Sequence, residues 1–344
     1  MDIANIVAMF GAIATFLFGM STMTDGLEKL SSGRLEHILE RLTSNVFKGV
    51  LLGAVVTGLI QSSAATTVMC VGFVNAGIMK LEQTVGIIMG ANIGTTVTAQ
   101  LLAFRLEDAR YLLLVAGLLL WFAGRGRLHA AGQALFAFGL LFEGIAVMAE
   151  AMEPLAAGPV FRQWMAQVRH RPGLGLLAGL GMTLAVQSSS ATIAVLQQAA
   201  ARPGPDGGCL LGLAGAIPVL LGDNIGTTVT AQLLRLGDID ADNIVMMFLQ
   251  PSFLGPILAV VGIIFYMFIK GGHKRIVGQI VLPQFTALVR LVSPHGPESA
   301  VLARQIANAH TLFNLGCTVL WLPLTPCMVR IVCILLPEKH APLS

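Results

Sequence analysis

Two short polar strings each occur twice in an otherwise apolar chain, and they hold most of the residues that could do chemistry. The first is Gln61-Ser62-Ser63-Ala64-Ala65-Thr66-Thr67, repeated as Gln187-Ser188-Ser189-Ser190-Ala191-Thr192-Ile193 with five of seven positions identical. The second is Gly90-Ala91-Asn92-Ile93-Gly94-Thr95-Thr96, repeated as Gly222-Asp223-Asn224-Ile225-Gly226-Thr227-Thr228, inside a fourteen-residue stretch that matches at twelve positions. Serine hydroxyls and free backbone N–H groups at a helix start make an anion site, helped by the positive end of the helix dipole. Gln carbonyls, Thr hydroxyls and unwound backbone carbonyls suit a hard monovalent cation such as Na+. No Lys or Arg lies in these strings. A divalent anion held there has no fixed counter-charge, so bound cations would lower the cost of taking it out of water.

Each string also has a plainer reading. Ser and Thr are common where membrane helices touch, and the paired glycines would allow close helix approach or a local break. Two copies of Gln-Ser-Ser, each at a predicted helix break, with the Gly-x-Asn-Ile-Gly-Thr-Thr strings recurring beside them, favour a site over simple packing. Asp223 is the one acid in either string, and its counterpart is Ala91. A carboxylate at membrane depth is a functional candidate. It could hold Na+, titrate, or sit in water at a helix mouth.

The elements that must position these residues are membrane helices. Of 344 residues, 55% are hydrophobic and 11% charged, with mean hydropathy +0.79. A soluble domain carries about a quarter of its residues as charged side chains, so this chain belongs in a bilayer. The net charge of +3 is small and scattered, which argues against nucleic-acid binding. Apolar runs long enough to span fall at about 5–24, 84–104, 110–124, 130–149, 211–234, 244–269 and 308–336. The segments 47–79 and 173–201 are apolar but interrupted by Gln-Ser-Ser, with glycines nearby. Each reads as a helical hairpin that enters the membrane and turns back, with its irregular backbone buried in protein or lining a cavity. The N-terminal stretch Ile6–Met20 lacks a basic leader and reads as the first membrane helix. The segments 31–48 and 156–172 read as loops, and the second carries Arg162, Arg169 and Arg171 without an acid. The cysteines 70, 209, 317, 327 and 333 form no Cys-x-x-Cys pair and read as apolar fillers.

The repeat offsets agree: 143−18 is 125, 187−61 is 126 and 222−90 is 132, with the extra six residues falling near Arg202–Gly208. The duplication covers about 9–108 and 134–238, and a fainter echo of Leu114–Gln133 in Leu258–Gln279 extends it by one span. Duplicated halves with interrupted helices in corresponding places point to a secondary transporter with a midplane site. A membrane enzyme would want paired acids, a His-based triad or metal ligands in the strings, and none is there; no cofactor is implied.

As a set, these motifs resemble the type II sodium-phosphate cotransporters, especially bacterial members. The resemblance covers most of 5–240 and resumes at Ala307-Asn308-Ala309-His310-Thr311-Leu312-Phe313-Asn314. It implies an all-α polytopic membrane protein with two inverted structural repeats and re-entrant hairpins. The division expected is 1–130 for the first repeat, 131–292 for the second and 293–344 for a C-terminal transmembrane segment. It implies a symporter of inorganic phosphate and Na+, multi-pass in the cell (inner or plasma) membrane, surrounded by lipid; association as a homo-oligomer is left open. The implied phosphate ligands are Ser62, Ser63, Ser188, Ser189, Ser190, Asn92 and Asn224. The implied Na+ ligands are Gln61, Thr66, Gln187, Thr192, Thr95, Thr227 and Asp223. Transport of another small oxyanion, or phosphate export, is the alternative. The sequence departs from the family pattern in three places: Ala64 replaces a usual hydroxyl, 238–308 implies an extra span, and no PhoU-like domain follows. His310 reads as a packed, hydrogen-bonded residue rather than a proton carrier.

Overall fold

The computed structural model describes residues 3–31, 45–75, 79, 81–104, 109–204, 208–236 and 282–325. Among these the secondary structure is helical, apart from one isolated bridge between Pro203 and Cys209. The predicted span at 244–269 lies outside the described residues, as do Cys327 and Cys333.

In chain order the helices are α1 (Ile3–Ser31), α2 (Val46–Ile60), α3 (Ser63–Asn75), α4 (Leu81–Leu102), α5 (Ala109–Ala123) and α6 (Arg127–Ala157). They continue with α7 (Pro159–His170), α8 (Pro172–Val186), α9 (Ser189–Ala200), α10 (Gly212–Leu236), α11 (Leu282–Leu291) and α12 (Glu298–Trp321). Three stretches are long and apolar enough to cross a membrane: Ala4–Ser31, Gln83–Leu102 and Arg127–Ala157. Phe10, Leu51, Leu112 and Phe122 turn large apolar side chains outward. Such surface suits lipid and is disfavoured in water.

The pairing of helices follows the duplication. α2 packs along α4, and α8 packs along α10 in the corresponding place; α1 and α6, which begin the two halves, pack on each other, and α5 lies against α6. Arg110 of α5 pairs with Glu143 of α6 at 3.0 Å, which keeps both charges compensated. α9 reaches across to α1, α4 and α6, so Ala191 and Ala194 share a core with Phe16, Leu141 and Met148. A second core joins α9, α10 and α12 through Ile193, Leu196, Leu213, Ile217, Leu302 and Ile306. A third, formed by Leu52, Val56, Ile60, Cys70 and Ile87, belongs to α2, α3 and α4.

Two sequence expectations need correction. The segment 156–172, expected as a loop, forms α7, a polar helix with Val168 turned inward and Trp164 outward. A short helix with charges on one face and apolar residues on the other suits an interface rather than a span. The span expected at 308–336 begins ten residues earlier, at Glu298. Its first turns carry Glu298, Arg304, Gln305 and Asn308, which depress local hydropathy without breaking the helix. Of the two readings left open for the glycines of the second string, close approach applies: α4 and α10 run unbroken through Gly90–Thr96 and Gly222–Thr228.

Candidate functional site

Each Gln-Ser-Ser motif ends one helix and starts another. Asn45 caps the start of α2, its side chain accepting from the backbone N–H of Phe47 at 2.6 Å and of Lys48 at 3.3 Å. α8 begins at Pro172, whose ring presets a helical first turn. Both helices end on a glutamine in the left-handed region, Gln61 at φ 61° and Gln187 at φ 56°. Among the described residues these are the non-glycine residues with positive φ. Their backbone N–H groups donate to Thr57 O at 2.7 Å and Thr183 O at 2.8 Å, closing the last turn. The next serine then caps the following helix: Ser62 Oγ accepts from Ala65 N at 3.1 Å, and Ser188 Oγ from Ala191 N at 3.3 Å.

Each break brings together residues nine apart in sequence. Thr57 and Thr66 bring their hydroxyl oxygens to 2.9 Å, and Thr183 and Thr192 to 3.1 Å. Nine residues of continuous helix would separate them by about 13 Å. The helix is therefore sharply bent at each Gln-Ser-Ser, and a buried Thr pair sits inside each bend.

Glycines lock each broken segment to its long helix. A Cβ on Gly53 would strike the Ile87 carbonyl, and one on Gly179 the Val219 carbonyl. A Cβ on Gly94 would lie 2.8 Å from Thr57 Cβ, and one on Gly226 2.6 Å from Thr183 Cβ. The backbones touch where side chains would stand, so the plainer reading of the glycines holds alongside any functional one. This contact also sets Thr57 and Thr183 in the same register against their long helices.

The two clusters differ in their polar partners. In the first, Gln61 Oε1 accepts from Thr98 Oγ1 at 2.5 Å, and its amide donates to Gly58 O. In the second, Thr183 Oγ1 lies 2.6 Å from Asp223 Oδ1 and 3.0 Å from Gly179 O. Gln187 turns outward, its Nε2 donating to Leu184 O at 2.6 Å. Asp223 is 0% exposed, which overturns the reading that it sits in water at a helix mouth. Its Oδ2 has no hydrogen-bond partner.

The other site candidates scatter around this frame. Ser63 and Ser189 open the first turns of α3 and α9, and Ser190 is buried there, while Ala64 stands at its place in the first half. Thr95, Thr227 and Asn224 bond back along their own helices, to Ala91 O at 3.0 Å, Asp223 O at 3.1 Å and Leu220 O at 3.0 Å. Asn92 is exposed. Within the described residues the two Gln-Ser-Ser regions share no hydrogen bond. Among these residues no group of three His, Cys, Asp or Glu side chains is placed to hold a metal ion.

Several polar residues without a role in the sequence reading join α4, α9 and α12. Gln197 of α9 is buried and directs Nε2 to Ala99 O of α4 at 3.3 Å and Ala303 O of α12 at 3.1 Å. Gln100 of α4 donates to Asn308 Oδ1 at 3.0 Å and Thr311 Oγ1 at 3.1 Å, and accepts from Arg304 at 3.1 Å. Arg304 also lies 4.0 Å over the Phe104 ring. Thr183 itself had a signal, a threonine four residues before each Gln. His310 is buried as expected, but its Nδ1 has no hydrogen-bond partner, so the expected side-chain bond is missing there.

Comparison with known proteins gives the following. The family profile described as Na+/Pi-cotransporter matches twice, at residues 15–150 and 144–289. The chain is 29% identical to "Uncharacterized protein YqeW" of Bacillus subtilis, over 97% of this chain and 99% of that one. It is 26% identical to "Putative inorganic phosphate export protein YjbB" of Escherichia coli, over 67% of this chain but 41% of that protein. A shorter stretch, 29% of this chain and 16% of the other, is 29% identical to "Sodium-dependent phosphate transport protein 2A" of Rattus norvegicus. No solved structure matches.

Proposed function

The chain belongs to the Na+/Pi-cotransporter family, and we propose that it is a secondary active transporter that carries inorganic phosphate across the cell membrane together with Na+. The observation that supports this most is the pair of serine-capped helix breaks, one per half, each locked by glycines to a Gly-x-Asn-Ile-Gly-Thr-Thr helix. α2 and α8 have 15 residues each, about 22 Å of helix, short of the roughly 30 Å hydrocarbon core. Helices that stop part way and reverse fit a re-entrant arrangement, with the breaks near midplane. In this reading the two halves, 1–130 and 131–292, are inverted repeats of a multi-pass protein.

Phosphate is taken by Ser62, Ser63, Ser188, Ser189 and Ser190, with Asn92 and Asn224, using hydroxyls and the first N–H groups of α3 and α9. Na+ is taken by oxygens of Gln61, Thr66, Gln187, Thr192, Thr95, Thr227 and Asp223. Bound Na+ supplies the positive charge that the strings lack, which couples the two ions by electrostatics.

Uptake of radiolabelled phosphate into proteoliposomes tests this, with Na+ replaced by K+ or choline. The expected result is saturable, accumulative flux that collapses without Na+; flux indifferent to the replacement overturns the coupling. Ser188→Ala or Gln61→Ala should abolish uptake with near-normal expression, and wild-type uptake in both removes the motifs from the site. The printed name of the Escherichia coli relative raises a second reading, export. Preloaded vesicles that release phosphate in the physiological direction of their ion gradients, in cells that do not take it up, would favour it.

A further inference from the structure

We propose that α7 lies in the membrane surface and binds anionic phospholipid headgroups, with Val160 and Trp164 toward the acyl chains and Arg162, Arg169 and Arg171 at the phosphates.

The place of α7 comes from its neighbours. α6 is long and apolar enough to cross a membrane, and Gly158, extended ahead of Pro159, ends it and starts α7. With 12 residues, about 18 Å of helix, α7 is too short to cross the roughly 30 Å hydrocarbon core. It packs on α6, α8 and α10, and passes through Arg171 directly into α8 at Pro172. It therefore sits where one apolar helix leaves the bilayer and the next apolar helix begins.

Three sectors run along α7. Phe161, Met165 and Val168 pack inward, Phe161 beside Met152 and Leu155, the other two against the core of α9, α10 and α12. Val160 and Trp164, one turn apart, are 57% and 61% exposed, so a second apolar flank has no cover among the described residues. Arg162 stands two residues from each of them and so on the opposite flank, which Arg169 shares two turns later. A helix lying flat with its apolar flank toward the acyl chains carries such arginines at headgroup level. Trp favours that same boundary, where its ring is apolar and its N–H is wet.

Charge selects the kind of lipid. From Pro154 to Pro205 the chain has no Asp or Glu, yet it carries Arg162, Arg169, His170, Arg171 and Arg202. The first four are exposed. Arg162 donates Nε to Ala156 O at 2.9 Å, and the rest of its five-donor fork suits a phosphate. Arg171 ends the helix, its N–H bonded to Gln167 O at 2.9 Å, on the side of Trp164. The nearby described acids are Glu150 and Glu153 on α6 and Glu298 on α12, the last paired with Arg290 at 3.6 Å. A basic excess remains. A zwitterionic headgroup offers it no net attraction, whereas an anionic one does. Headgroups held here would also fix the end of α8 that follows Arg171.

The chain has three tryptophans, so Trp121→Phe with Trp321→Phe leaves Trp164 as the one reporter. This full-length protein is reconstituted in phosphatidylcholine vesicles with or without phosphatidylglycerol. Acyl-brominated lipid should quench Trp164, and brominated phosphatidylglycerol should quench more than brominated phosphatidylcholine, by a margin that shrinks in high salt. Arg162→Gln and Arg171→Gln should each lower this preference about fivefold, the worth of one basic side chain near an anionic surface. Arg171→Lys should keep it, and Arg125→Gln, in the turn at the far end of α6, should leave it unchanged. Should the tryptophan changes harm folding, retention of phosphatidylglycerol over phosphatidylcholine by the unaltered chain, read by native mass spectrometry, gives the same comparison. Quenching by neither lipid overturns the membrane contact. Equal quenching and retention of both headgroups, or a preference that survives Arg162→Gln with Arg171→Gln, overturns the anionic site. Lipid binding is read without flux, so this outcome is separate from the fate of the transport reading.

Discussion

The broken segment of α2 and α3 and the broken segment of α8 and α9 share a skeleton and differ in what hangs on it. Both end their first helix on a left-handed glutamine, both close over a threonine pair, and both press glycines into a neighbouring backbone. The polar contents have diverged. Ala64 faces Ser190 across the duplication, Ala91 faces Asp223, and Val71 faces Gln197, each at its repeat offset. Gln61 is tied to Thr98 on α4, whereas Gln187 bonds within its own turn. The difference teaches that backbone packing fixes the helix break, while side chains that do not touch that packing are free to specialise.

The comparison breaks most visibly if its shared part is attacked. Gly53→Val and Gly179→Val would each drive side-chain atoms into a carbonyl of the partner helix. The expected cost is about 4 kcal/mol or more in either half, at the extreme of single substitutions, because backbone cannot move aside as a side chain can. Size-exclusion profiles and thermal unfolding in detergent should show both variants aggregated or strongly destabilised. Gly72→Ala and Gly181→Ala, whose Cβ would meet nothing within 4 Å, should match wild type or gain slightly. Tolerance of valine at one of the two contact glycines would show that the skeletons are not equivalent.

The shared skeleton was also the part legible in the sequence. Gln-Ser-Ser inside an apolar run favours a break, since polar groups in a row need partners that an apolar helix by itself does not supply, and its recurrence with nearby glycines weighed against simple packing. Thr183 was overlooked because a lone threonine in a membrane helix is ordinary, and its partner Asp223 lies forty residues away in sequence. The unbroken course of α4 and α10 was ambiguous because glycine permits both close approach and a break, and only the facing backbone decides. α7 and the start of α12 were missed for one reason: their charged residues lower hydropathy, and hydropathy measures lipid contact rather than helicity.

A smaller effect should come from Gln197, whose amide joins α9 to α4 and α12. Gln197→Leu keeps the volume and leaves two carbonyls without this donor. Interhelical hydrogen bonds in membranes are worth about 0.6 kcal/mol each and at most about 1.7, so a loss of roughly 1–2 kcal/mol is expected. Val71→Leu, at the matching place in the first half, is half exposed and should change stability by less than about 0.5 kcal/mol. Thermal unfolding of the two variants side by side checks this. Equal losses would mean that the halves are held together symmetrically, against the observed contacts.

The smallest effect concerns the left-handed glutamines. A non-glycine residue there costs about 1 kcal/mol that glycine does not. Gln187→Gly removes that strain and sacrifices a bond within one turn, so the variant should unfold at a slightly higher temperature than wild type. Gln61→Gly removes the same strain but also the bond to Thr98, and its stability should change little. Phosphate uptake should nevertheless fall in both, because strain kept at such a position points to use of the side chain rather than to folding. A Gln187→Gly protein that is more stable and still transports at the wild-type rate would detach the glutamine from the site, leaving Ser188 and the acid at 223 to carry the second half.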